Sequence, residues 1–145
     1  MKKKLSACSL ILGLILLSCS KEESLSKAEL LCKDGWKIEN ATLNIGGTDE
    51  GSLDLFFLPC SFDDVTTYSM DLKFEREEGV DLCPVSTQIQ NGIWTLTEGN
   101  TILNRLVGES TEKYDVVTLS ESELILRFET AYAGVVGTMT WEFKH

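Results

Sequence analysis

Histidine is almost missing from this sequence: there is one in 145 residues, and that one, His145, is the last. A Ser-His-Asp or Cys-His arrangement would have to be built on a frayed terminus, where no geometry is held. A zinc site from His145 and one free cysteine fails for the same reason. No glycine-rich phosphate loop is present, and no internal repeat or low-complexity block follows the opening residues. Basic charge is scarce as well, with 13 Lys and Arg against 23 Asp and Glu. Nor does any apolar run reach the roughly 20 residues that cross a hydrocarbon core. The longest, residues 5–17, is interrupted by Ser6, Ser9 and Gly13. Histidine-based hydrolysis, phosphate cradling and a retained transmembrane helix are set aside on these grounds.

What the chain does have begins with Met1-Lys2-Lys3-Lys4 ahead of that apolar run, the order of a charged n-region and a secretory h-region. The segment closes on Leu16-Leu17-Ser18-Cys19. This resembles the bacterial lipobox: a leucine, two permissive positions, then the cysteine that receives diacylglyceryl. Residues 1–18 are therefore expected to be a lipoprotein signal peptide, and Cys19 the acylated first residue of the mature chain. Residues 19–25 read as a lipid-anchored tether. Within it Ser20-Lys21-Glu22-Glu23 is similar to the Lys-acidic-acidic sequence that directs some Gram-negative lipoproteins outward. The expected location is the outer membrane at the cell surface, with its periplasmic face as the alternative. A solvated polar tether is the plainer explanation of the same four residues.

Residues 26–145 are left as the folded part, enough for one domain and too few for two. The first 18 residues hold three lysines and no acid, so residues 19–145 carry ten basic and 23 acidic side chains, a net charge of −13. Such a surface repels nucleic-acid phosphates and anionic headgroups, and a soluble monomer is expected. Of five cysteines, Cys8 goes with the signal and Cys19 is acylated. Outside the cytoplasm two of the remaining three pair. Cys60 and Cys83 flank one predicted strand-turn segment and are the expected bridge, worth about 3 kcal/mol in chain-entropy terms. Cys32, in Leu30-Leu31-Cys32, is expected to be a buried, inert thiol.

Ser26-Lys27-Ala28-Glu29 fits a capping box and predicts a short helix through Cys32, stopped near Gly35. Beyond it the hydrophobic period is two. Tyr68, Met70, Leu72 and Phe74 alternate with Ser69, Asp71 and Lys73, and Met139-Trp141-Phe143 alternate with Thr140 and Glu142. One buried and one wet face is the pattern of an antiparallel sheet. Strands are expected near 36–45, 52–58, 65–76, 85–90, 93–98, 101–108, 113–130 and 135–143, eight in all, or nine if 113–119 and 123–130 are separate. Turns fall at Gly46-Gly47, Glu78-Gly79, Asn91-Gly92, Gly99-Asn100, 120–122 and Gly134. Short connections favour a meander, and closing it into an up-and-down barrel removes its edges.

The order of these features resembles the bacterial lipocalin-like domain found in anchored lipoproteins. The residues that carry the likeness are an apolar lead-in to Trp36, Cys60-Ser61-Phe62-Asp63-Asp64, the strand to Phe74, then Cys83 and Gly92-Ile93-Trp94. The late hairpin from Tyr114 to Leu126 completes it, so the likeness spans roughly residues 30–143. It implies an all-β, antiparallel, lipocalin-like barrel with a short N-terminal helix, and implies no particular ligand. Gly35-Trp36 departs from the G-x-W of animal lipocalins, so their ligands do not carry over.

The interior is where a ligand would sit. Trp36, Tyr68, Met70, Phe74, Trp94, Phe128 and Trp141 are the candidate lining, either filling the core or surrounding one small pocket. No interior charge stands out. The carboxylates Asp63-Asp64 and Glu75, Glu77, Glu78 are candidates for glycosidase or calcium chemistry only if they gather at a defined spacing. The simpler expectation is that Asp63 or Asp64 accepts amides of its own turn. The reading that results is a non-enzymatic binding module for a small, largely apolar molecule, without metal or cofactor. Its rival is a protein-interaction or inhibitor module with a solid barrel and partner-binding loops, for which residues 53–59 are the candidate apolar patch.

Overall fold

A computed structural model describes residues 24–51, 56–83, 89–132 and 134–145. The signal segment, Cys19 and most of the tether lie outside the described residues. Ser26 opens the one α-helix among them. Its hydroxyl accepts from Glu29 N at 3.2 Å and its amide donates to Glu29 Oε2 at 2.7 Å, the expected capping box. This helix, α1, runs Lys27–Leu31 and ends at Cys32, before Gly35, because the Cys32 amide donates back to Ala28 O and the Lys33 amide to Leu30 O. Among the described residues no helix is long and apolar enough to cross a membrane.

Nine strands follow among the described residues: β1 Lys37–Ile45, β2 Thr48–Glu50, β3 Val65–Tyr68, β4 Lys73–Glu77, β5 Ile89–Thr97, β6 Ile102–Val107, β7 Ser110–Leu119, β8 Glu123–Tyr132 and β9 Val135–Lys144. They form a single antiparallel sheet in the order β2-β1-β9-β8-β7-β6-β5-β4-β3. From β3 to β9 it is a plain meander. β1 then lies against β9, with Ala41 opposite Trp141 and Leu43 opposite Met139, which curls the sheet on itself. At the seam Trp36 and Thr66 exchange backbone hydrogen bonds of 2.8 and 2.9 Å. Past that one bridge the sheet stays open. The fold is all-β, up-and-down and barrel-like, with the short β2 as a strand the periodicity did not reveal.

Three expected elements are corrected. The single strand over 65–76 is a hairpin in which Tyr68 faces Phe74. Ser69 Oγ donates to Asp71, Leu72 takes φ 65°, and the Trp94 indole donates to Ser69 O at 3.1 Å, so a polar turn is pinned from inside. The apolar alternation runs straight through that turn and hides it. Asn91-Gly92 is not a turn but the interior of β5, opposite Glu75 and Phe74. Gly92 is there for close approach: a Cβ would lie 2.0 Å from Leu106 O and 2.8 Å from the Phe74 ring. Of the strand expected over 52–58, residues 52–55 lie outside the described residues and 56–58 are not strand. The strand expected over 85–90 is described only from Ile89, where β5 begins.

One end of the barrel is solid. Leu31 of α1 belongs to one buried core with Trp94, Leu103, Leu119, Leu124 and Leu126. Each fully buried leucine there contributes about 2 kcal/mol. Polar contacts fasten the plug: Lys27 Nζ donates to Leu119 O at 3.1 Å, and Lys33 pairs with Glu121 at 2.6 Å. His145 is not frayed as expected. Its ring lies 4.0 Å from that of Trp36, and its Nδ1 is 2.9 Å from Gly35 O. Cys32, half-buried at the edge of this core, is free, and burial and then Asp71 push its thiol pKa up.

Candidate functional site

Above the solid end the same inward positions turn polar. Register brings Thr66 of β3 opposite Arg76 of β4, Arg76 opposite Gln90 of β5, and Arg105 of β6 opposite Glu112 of β7. The rest of the lining is mostly apolar: Trp36 just before β1, Ile38 of β1, and Trp141 and Phe143 of β9. Phe57 leans in from the mouth, its ring 5.5 Å from that of Trp141. Between the polar row and the aromatic wall lies a cavity of about 130 Å³. For scale, an engineered apolar cavity of roughly 150 Å³ takes up benzene. The space suits one ring, not a drug-sized ligand of several hundred Å³.

Arg105 dominates the polar row and is only 6% exposed. Its guanidinium carbon sits 4.3 Å above the Phe74 ring and 5.7 Å from that of Tyr114. Nη2 donates to Gln90 Oε1 at 3.3 Å, and Nε lies 3.2 Å from Glu112 Oε2. Burial works against the guanidinium charge, yet Tyr68, Tyr114 and Glu112 together outweigh it and its pKa rises. The phenols respond to the same surroundings: burial raises both Tyr68 and Tyr114, although Arg105 opposes this. Tyr114 OH donates to Glu112 Oε2 at 3.0 Å, so one carboxylate serves both the arginine and the phenol.

The mouth is braced by the expected disulfide, Cys60–Cys83, with a Cα–Cα distance of 5.3 Å. Ser61 Oγ rests 3.4 Å from Cys83 Sγ and faces the cavity. Asp63 and Asp64 divide the remaining work. Asp63 Oδ2 accepts from Val80 N at 2.5 Å and Asp81 N at 3.1 Å, amides of the β4–β5 loop, where amides of its own turn were expected. These amides, Asp81 first, hold its carboxyl pKa below the usual value. Asp64 is 6% exposed, lines the cavity and lies 3.5 Å from Arg76 Nε. The cavity lining thus holds two cations and two carboxylates. Among the described residues no three His, Cys, Asp or Glu side chains gather as a metal site.

The expected interior set divides in three. Trp36 and Trp141 line the cavity, and Phe128 packs edge-on against Trp141 at 4.7 Å. Tyr68, Phe74 and Trp94 are buried at or below 5% exposure, within the solid core. Met70 is not inside at all: it is 61% exposed on the β3–β4 turn, where the hairpin reverses before it can point inward. The expectation of an interior without charge is overturned by Arg105 and Asp64. Symmetry about the Gly108-Glu109 turn was a signal for the first, since it sets Arg105 against Glu112. Leu106 beside it masked the alternation. Asp64 carried no such signal, because its place depends on a loop. Among the patch residues, Phe56 packs edge-on at 6.2 Å from Tyr132 and Phe57 turns toward Trp141, while Leu58 is exposed.

No family model matches the chain, and no curated protein matches it.

Proposed function

We propose that this protein is an envelope lipoprotein, held to the outer membrane through an acylated Cys19 and displayed at the cell surface, whose barrel is a non-enzymatic binding module for one small molecule. The observation that carries the binding role is the cavity between the Arg105 row and the Trp36–Trp141 wall. A core made for stability alone is better served by apolar side chains than by desolvated charges. Among the described residues the buried charged side chains, Asp64 and Arg105, both line this cavity. The same charges argue against hydrolysis by paired carboxylates. Asp64 and Glu112 share the cavity, but each is engaged by its own arginine. The largely apolar ligand expected from the sequence becomes one ring-sized molecule with a polar edge.

The test is native mass spectrometry of the intact protein, released from its own host's envelope in mild detergent. A ligand of one-ring mass that leaves on denaturation supports the reading, and failure of any small molecule to bind the purified protein overturns it. The anchor is tested separately: Cys19→Ala should shift the protein from the membrane to the soluble fraction. A partner-binding reading has its own observation in the β8–β9 tip, where Tyr132, Val135 and Val136 are each at least half exposed. Capture of a defined envelope protein, lost on Val136→Asp, is the result that would favour it.

A further inference from the structure

Hydrogen-bonding capacity in the cavity is lopsided, and this bears on the ligand. Two buried donors find no hydrogen-bond acceptor among the described residues: Arg105 Nε and Trp141 Nε1. Arg105 Nε is near Glu112 but not aligned with it. Both side chains line the same cavity. The carboxylates of Asp64 and Glu112, by contrast, already accept or pair. A buried N–H without an acceptor costs free energy that a ligand oxygen restores. Charge narrows the choice further. Arg76 and Arg105 are balanced by Asp64 and Glu112, so a carboxylate ligand would bring an uncompensated charge into a desolvated site.

We propose that the cavity takes an uncharged, planar, single-ring molecule bearing a carbonyl oxygen, with the ring against the Trp36–Trp141 wall and the oxygen accepting from Trp141 Nε1, Arg105 Nε or both. Size, flatness and acceptor then come from three separate features: the volume of about 130 Å³, the aromatic side, and the two orphaned donors. This rests on the binding reading above and specifies its ligand class.

The test uses the purified full-length protein with its tryptophan indoles labelled with 15N, titrated with acetophenone, benzoate and toluene in parallel. The chain has three tryptophans, so three indole N–H signals are expected, and Trp141→Phe identifies one by its loss. Acetophenone should saturate the Trp141 signal and move it downfield, and should bind more tightly than either competitor. In Trp141→Phe acetophenone should lose about five- to tenfold more affinity than toluene, the worth of one hydrogen bond, since both lose the same part of the indole wall and only acetophenone loses the N–H. Toluene binding as well as acetophenone, with equal losses in Trp141→Phe, would overturn the carbonyl class and leave a plain apolar site. Benzoate binding most tightly would overturn the uncharged class. If none of the three binds while native mass spectrometry still finds a bound small molecule, this inference falls and the binding reading stands; if neither finds a ligand, both fall.

Discussion

The two ends of this barrel are built from the same strands at the same inward positions, yet they obey different rules. Moving along β6, Leu103 is fully buried among leucines, and two residues on Arg105 is nearly as buried against Glu112 and Gln90. On β9 the cavity wall runs from the buried Phe143 to the half-buried Trp141, whose indole N–H has no acceptor among the described residues. The plugged end stabilises by removing apolar area from water. The open end contributes little net stability, because each charge taken out of water must first be offset by a partner. What it keeps is a defined polar geometry, and this is the use for which a protein tolerates such an arrangement.

The largest expected effect tests that asymmetry directly. Leu126→Ala, in the solid half, should cost about 3 kcal/mol. Trp141→Phe, at the cavity, should cost about 1 kcal/mol, as shape-conserving changes do. Urea midpoints at an unchanged slope are the measurement, and equal losses would mean that the two ends are one core. A middle-sized effect concerns pairing. Arg105→Met alone leaves Glu112, whose side chain is 35% exposed, without its cation, and should cost about 2 kcal/mol. Adding Glu112→Gln should return part of that loss. Additive losses in this cycle would show that the pair is not coupled.

The smallest effect is a pH dependence at the mouth. Asp63 has its pKa depressed in the folded state by the amides of Asp81 and Val80. Its contribution is therefore complete above the ordinary value of 3.8 and lost as pH falls through the lower folded value. The stability difference between the parent and Asp63→Asn should shrink as the pH is lowered from 6 to about 3. A gap that widens on acidification would reverse the sign and remove the amide contacts as its cause.

Legibility followed the range of the interaction. The α1 capping box spans three residues and was readable outright. So was the period-two pattern of β8 and β9, where Leu124, Leu126 and Phe128 face inward with Met139, Trp141 and Phe143 opposite them. Where a turn interrupted the pattern without breaking it, at Ser69 to Leu72, the reading failed and took Met70 with it. Gly92 misled for the opposite reason: glycine marks either a reversal or a place where neighbouring chains come close, and only the Leu106 carbonyl beside it decides which.

By itself the amino-acid sequence determined the elements and their chemistry: a capped helix, alternating strands and a pair of cysteines flanking one strand-turn segment. These depend on residues near one another along the chain, whose preferences act before the chain folds. The tertiary structure alone decided that β1 pairs with β9, that Trp36 bridges Thr66, and that Asp64, Arg76, Gln90, Arg105 and Glu112 meet in one cavity. Those groups come from five separate segments, and charged side chains prefer water unless the fold supplies each a partner. The site exists only once the barrel has brought the partners together.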